Sequence, residues 1–311
     1  MVVIKDKNIQ QTTPTAVTIG NFDGVHLGHQ KLIRNITTYC EAHAGVQSVV
    51  FSFNPHPRAV FTGEILPHVL TRKEKMSVIE KMNVDVYIGY PFDLEFANKP
   101  ATEFLEDILL NQLNCTYLTV GENYRFGRKG EGDITLLKQF CEAHGITVQI
   151  EKMIVLADGI TVSSTNIRSA IEYGDISRVN KMLGYEFFSE GVVQYGKQIG
   201  HTIGFPTANL SHGTYKVIPK MGVYVTHTEV QGKQYLSVTN VGDNPTVNGE
   251  GITIETHIMD FDDDIYNKEI KVNFLCKIRD QIKFSSLDEL KKQIDMDAFF
   301  ACEYEETFGA E

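Results

Sequence analysis

The apolar pattern of the chain changes period once, near Gly184, and that change limits what it can fold into. Before it, short runs rich in Val, Ile and Tyr (16–20, 48–53, 84–89, 117–121 and 147–151) alternate with amphipathic stretches. Leu32, Ile33, Ile36, Tyr39 and Cys40 make one helical stripe, and Phe104, Leu105, Ile108, Leu109 and Leu113 make another. Apolar strands separated by such helices predict an α/β unit with a doubly wound parallel sheet. After Gly184 helical periodicity gives way to short strands at 191–195, 222–229, 235–241, 252–259 and 268–278. Gly and Pro between them predict a small antiparallel β-barrel, and Ser286 is positioned to cap a terminal helix. The 311 residues suffice for two cores, which we expect over 1–184 and 185–311.

An apolar fraction of 42% and a charged fraction of 22% are ordinary for a globular protein. A net charge of −11 opposes nucleic-acid binding, which needs a basic footprint, but not ATP, which a nest of amides can hold. Cys40, Cys115, Cys141, Cys276 and Cys302 form no C-x-x-C motif. The start lacks a signal-like apolar run, and nowhere do about 18 apolar residues follow one another, so a cytoplasmic protein outside the membrane is expected.

Two segments pair up in the first half. T-I-G-N-F-D-G-V-H-L-G-H at 18–29 reads as strand, loop and helix start. Gly20, Gly24 and Gly28 offer close backbone approach and positive φ, and His26 and His29 share the first helical turn. Imidazoles beside free amide N–H groups suit charge developing on an α-phosphate and a leaving pyrophosphate, with Gly20, Asn21, Phe22 and Gly24 as phosphate-contact candidates. In V-S-S-T-N-I-R at 162–168, Ser163, Ser164 and Thr165 begin a helix with Ile167, Ala170 and Ile171 on its apolar side. Arg168 extends from its first turn. Alone, the first segment reads equally well as a loop whose histidines cap or pack, and the second reads better as an ordinary capped helix with a surface arginine; their joint occurrence favours nucleotidyl transfer.

The second half carries G-F-P-T-A-N-L at 204–210. If extended, it projects Phe205, Thr207 and Asn209 to one side, a cradle for Mg²⁺ and phosphate. In I-T-I-E-T-H-I at 252–258, Glu255 and His257 take the face opposite the isoleucines, where Glu255 is a general-base candidate or a surface residue. No P-loop motif exists. The acidic run at 260–264 lacks the glycine and glutamate of an EF-hand, with Ile265 and Lys271 in those places, and reads as a solvated hairpin loop.

These segments, with F-N-P-H-P-R at 53–58, G-E-N-Y-R-F-G at 121–127, M-G-V-Y at 221–224, N-V-G-D-N-P-T-V at 240–247 and R-D-Q-I-K-F at 279–284, resemble the bacterial bifunctional riboflavin kinase/FAD synthetases. The resemblance implies an H-x-G-H nucleotidyltransferase in the first domain and a riboflavin kinase in the second. It implies ATP and Mg²⁺ as co-substrate and cofactor, with riboflavin, FMN and FAD as flavins. By resemblance, Asn54, Pro55, His56, Pro57, Asn123 and Arg125 line a flavin and nucleotide pocket. Thr207 and Asn209 hold Mg²⁺–ATP, Glu255 activates the ribityl hydroxyl, and Arg279 lies near the flavin. The position of Asn54 is often acidic in relatives, and His201 stands where they commonly carry arginine, with Lys197 as a substitute cation. A chain with one surviving activity, or a flavin-binding regulator, would share the resemblance; the intact His26, His29, Arg168, Thr207, Asn209 and Glu255 favour an enzyme.

Overall fold

The computed structural model describes residues 1–195, 204–211, 213, 215–243 and 252–309; His201, Lys197 and positions 244–247 of the motif at 240–247 lie outside them. The chain divides into two compact units, Met1–Pro67 with Arg72–Ser164, and His68–Thr71 with Thr165–Glu311.

In the first unit β1 (Val2–Ile4), β2 (Thr15–Ile19), β3 (Gln47–Asn54), β4 (Val86–Pro91), β5 (Cys115–Gly121) and β6 (Thr147–Glu151) form a parallel sheet in the order β1-β4-β3-β2-β5-β6. Helices α1 (Leu27–Ala42), α2 (Pro57–Thr62), α3 (Arg72–Glu80), α4 (Leu94–Ala97), α5 (Ala101–Phe104) and α6 (Ile134–Ala143) connect them. All of β2 is buried, as a strand covered on both faces should be. From β2 the chain winds outward through β3 and β4, then returns to β5 on the other side of β2. The loop after β2 therefore starts at the topological switch point, where such sheets open a crevice for ligands.

Two local features differ from the sequence expectation. The edge strand β1 pairs with β4 although three residues carry no readable periodicity. The stripe at 104–113 is buried as expected, but Leu105–Gln112 is a π-helix, with Leu113 N donating to Ile108 O at 2.9 Å. A π turn brings residues five apart, here Ile108 and Leu113, close to one line.

The second unit opens with α7 (Ser164–Tyr173), whose first residue stands at the division, and α8 (Ile176–Leu183). Strands β7 (Phe187–Gln194), β8 (Ala208–Leu210), β9 (Gly222–Val230), β10 (Lys233–Asp243), β11 (Ile252–Ile258) and β12 (Glu269–Arg279) close an antiparallel barrel in the order β10-β11-β8-β7-β12-β9. Its interior is partly polar. Thr226, Thr228, Ser237, Thr239 and Thr256 are fully buried and bond one another, Thr226 to Ser237 at 2.8 Å and to Thr239 at 2.7 Å. Small hydroxyl side chains fit a narrow barrel, and burial obliges them to pair. The acidic run does not turn a hairpin: β11 and β12 are not neighbours, so it lies in a crossover between them. Ser286 caps α9 (Leu287–Phe308), accepting from Glu289 N at 3.2 Å. The inner face of α9 sets Ala301 and Tyr304 against Val223, Val225 and Val238.

Candidate active sites

The loop after β2 is wound tightly. Phe22, Gly24 and Val25 have φ of 51°, 79° and 36°, and a β-branched residue at positive φ is strained. The expectation of positive φ at all three motif glycines holds only at Gly24. Gly20 and Gly28 instead leave room for rings: a Cβ would lie 3.4 Å from Phe22 and 3.2 Å from His26.

His26 caps α1, its Nδ1 accepting from His29 N at 3.4 Å, which leaves the proton on Nε2. The two imidazoles stack with centroids 3.6 Å apart. Burial pushes His26 down to about 4, and burial, His26 and Lys75 hold His29 well below its ordinary value. Both rings are thus neutral near pH 7 rather than fixed cations. The nearby cation is Lys75 on α3, whose Nζ donates to Asn21 O at 3.1 Å; it lies 54 residues from Asn21 and no motif marks it.

Among the described residues, buried side-chain atoms without a hydrogen-bond partner include Thr18 Oγ1, Asn21 Oδ1 and His29 Nδ1, all in this strand and loop. Such a concentration is costly unless a ligand completes it. Ser164 Oγ donates to Asp23 O at 2.8 Å, which brings the downstream segment onto the loop. Thr165 and Arg168 fall in the second unit, where Arg168 Nη2 donates to Thr165 Oγ1 at 3.4 Å.

Beyond the ends of β3, β4 and β5 lies a cavity of about 220 Å³ walled by Phe53, Phe61, Phe92, Phe96, Tyr124 and Phe126. Arg125 and Pro57 also line it. An aromatic slot with Lys99, Arg125 and Lys129 in its lining suits a flat heteroaromatic ring carrying an anion. His56 caps α2 by accepting from Arg58 N at 3.1 Å, and the Asn54–Pro55 peptide is cis. Asn123 Oδ1 lies where a side chain at Gly121 would come within 3.0 Å.

In the barrel, strand register assembles the second site. Asn209 pairs with Glu255, Glu255 with Asn240, Asn240 with Val223, and Val223 with Arg279, so one row runs across five strands. The alternation read from sequence holds: Ala208, Leu210, Ile254, Thr256 and Ile258 are buried, while Thr207, Asn209, Glu255 and His257 are half-buried on the other face. A cavity of about 300 Å³ is lined by Phe205, Thr207, Asn240, Glu255, Arg279 and Phe284. A second, of about 290 Å³, is lined by Thr207, Asp262, Asp263, Asp264 and Tyr266. Asp262, Asp263 and Asp264 are exposed, as expected of a solvated loop, and also border this space, while Thr207 borders both. The hydroxyl of Thr207, the amide of Asn209 and the carboxylates opposite are hard oxygen donors, which fits Mg²⁺.

Arg279 is held from α9. Asp297, 2% exposed, accepts from its Nε at 2.9 Å and 3.1 Å and from its Nη2 at 2.7 Å, while Gln293 donates to the same carboxylate at 3.0 Å. The sequence reading identified Arg279 but not Asp297, an acidic residue on the inner side of an otherwise apolar stripe.

Comparison with known proteins matches two families along the chain. An FAD synthetase family model matches residues 8–166, and a riboflavin kinase model matches residues 183–304. The bifunctional riboflavin kinase/FMN adenylyltransferase of Haemophilus influenzae is 38% identical over 284 residues, 91% of each chain. That of Listeria monocytogenes is 32% identical over 293 residues, 92% of each. A crystal structure described as a macrolide-efflux protein from Streptococcus pneumoniae matches with a TM-score of 0.88 at 31% identity, covering 97% of this chain and 99% of that one. Among the described residues of the present chain, no helix is long and apolar enough to cross a membrane.

Proposed function

The chain belongs to the family of bifunctional riboflavin kinase/FMN adenylyltransferases, and on that premise we propose how its parts divide the work. Residues 185–311 phosphorylate riboflavin with ATP, and residues 1–184 transfer the adenylyl group of a second ATP to the FMN formed.

In the kinase, riboflavin occupies the cavity that contains Glu255, and ATP approaches from the acidic-lined side, so that the reacting groups meet at Thr207. Glu255 accepts the proton of the ribityl hydroxyl as its oxygen bonds to the terminal phosphorus. The bond from that phosphorus to the bridging oxygen breaks, and ADP leaves. Thr207 and Asn209 hold Mg²⁺, which when bound neutralises charge on the transferring phosphate. Arg279, fixed by Asp297, orients the flavin.

In the adenylyltransferase, the flavin ring enters the aromatic slot that Pro57 and Arg125 help to line, and Asn54, Pro55, His56 and Asn123 are assigned to the flavin on the family resemblance. A phosphate oxygen of FMN attacks the α-phosphorus of ATP, the α–β bridge breaks, and pyrophosphate departs. The phosphates of ATP lie against Gly20, Asn21, Phe22, Gly24 and the N-terminus of α1. His26 and His29 donate neutral hydrogen bonds to the charge that develops, and no covalent enzyme intermediate is needed. Ser163, Ser164, Thr165 and Arg168 are assigned to ATP on the family resemblance.

The observation that carries the kinase reading is the sharing of Thr207 between two cavities, only one of which contains Glu255. The test is one incubation with riboflavin, excess ATP and MgCl₂, with flavins resolved by chromatography over time. FMN that rises and then yields to FAD is expected. Flavin that stays bound and unconverted would refute the enzyme reading.

A further inference from the structure

Helix α9 has two apolar faces. The inner one sets Leu290, Ile294, Ala301 and Tyr304 toward the barrel and its cavity. On the opposite face Met296, Phe299 and Phe300 are 64%, 65% and 42% exposed. A helix already packed on one side has no internal need for a second apolar stripe, and clustered Phe and Met at a surface mark contact with another protein.

The flanking charges specify which one. Lys292, Met296, Phe299 and Glu303 are spaced four, three and four residues apart, the seam spacing of paired helices, and all four are exposed. A two-fold axis passing between Met296 and Phe299 maps this seam onto itself in reverse. Met296 then faces Phe299 of the second copy, and Lys292 faces Glu303 of the second copy, each pair occurring twice. A two-fold interface uses the same patch on both copies, and these equidistant opposite charges make the patch self-complementary.

We propose that the outer face of α9 joins two copies of this chain in an antiparallel helix pair centred between Met296 and Phe299. Each Phe contributes up to about 150–250 Å² of buried area, and a single helix pair stays below the roughly 1,600 Å² of a standard stable interface. Association is therefore weak and concentration-dependent. The apolar residues supply the affinity, and the exposed ion pairs select register more than they add strength.

Sedimentation velocity of the whole chain over a micromolar concentration series tests this. The mass is expected to climb from 35.0 kDa toward twice that value. Phe299→Glu should hold the protein at the lower mass. Lys292→Glu and Glu303→Lys should each weaken association about tenfold, equivalent to 1.4 kcal/mol. An equal mixture of the two should recover it, because opposite charges then meet in both pairs. Riboflavin kinase activity of each variant reports that it is folded. A wild-type protein that stays at 35.0 kDa at every concentration would overturn the proposal. So would an association that survives Phe299→Glu, or a mixture no tighter than its components.

Discussion

Replacing Asp297 with Asn should separate the positioning of Arg279 from the integrity of the fold. The carboxylate takes three hydrogen bonds from the guanidinium and one from Gln293, and both charged side chains are largely buried, 2% and 17% exposed. Asn offers one oxygen in place of two and turns an NH₂ group toward Nη2. A buried pair broken from one side costs about 3–5 kcal/mol, and because Asn retains one acceptor we expect about 3 kcal/mol of destabilisation. The flavin meanwhile loses a fixed charged contact of about 1.5–3 kcal/mol, so the riboflavin KM of the kinase should rise roughly tenfold to a hundredfold with kcat little changed. FMN-to-FAD conversion should stay unaltered. Urea unfolding followed by circular dichroism, with steady-state kinetics of both reactions, measures all three. The double variant Asp297→Leu, Arg279→Met, an apolar replacement of the pair, should regain stability but not KM. If Asp297→Asn lost stability while its KM stayed within about twofold of wild type, well under the tenfold expected of a charged contact, the ion pair would be structural only and the reasoning wrong.

Glu255→Gln should abolish FMN formation and leave adenylylation of supplied FMN intact, and the double change His26→Ala, His29→Ala should do the reverse; loss of both activities in either folded variant would refute two separate sites. The depressed histidines predict acid lability of the first unit. An unfolded imidazole takes its proton near 6.5 and folded His26 only near 4, so stability should fall as pH drops through that interval. His26→Asn, which keeps a capping acceptor, should make the fall of melting temperature with pH shallower. His227 on β9 behaves oppositely. Glu186 at 3.7 Å and Glu305 on α9 at 2.9 Å raise its pKa against the effect of burial. Its stabilisation is complete below 6.5 and lost as pH climbs through the raised value, so His227→Gln should remove an alkaline decline in the urea midpoint.

The sheet, the barrel and the cap at Ser286 were legible because burial imposes period, and caps and turns have few chemical solutions. The strand expected at 147–151 coincides with Thr147–Glu151, and the other predicted strands fall within a few residues of those observed. What escaped depends on contacts distant in sequence. Lys75 reaches Asn21 across 54 residues, and Asp297 meets Arg279 only once α9 packs on the barrel. The π-helix escaped for another reason: the apolar stripe at 104–113 is compatible with either turn, and only hydrogen bonding distinguishes them. A hairpin at the acidic run would need β11 and β12 to pair, as strands adjacent in sequence usually do; here β11 pairs instead with β8, three residues long.

That brevity of β8 bears on how the protein fails. Three register pairs, Ile254 with Leu210, Glu255 with Asn209 and Thr256 with Ala208, join it to β11, and its other side meets β7. It is the clasp of the barrel, and a closed barrel is free of open edges. A substitution that loosens the clasp uncovers the backbone groups of both β7 and β11 at once, two templates for pairing with neighbouring chains. The segment that carries Thr207 and Asn209 thus also guards solubility, and damaged variants there should be lost as precipitate before they can be assayed as slow enzymes.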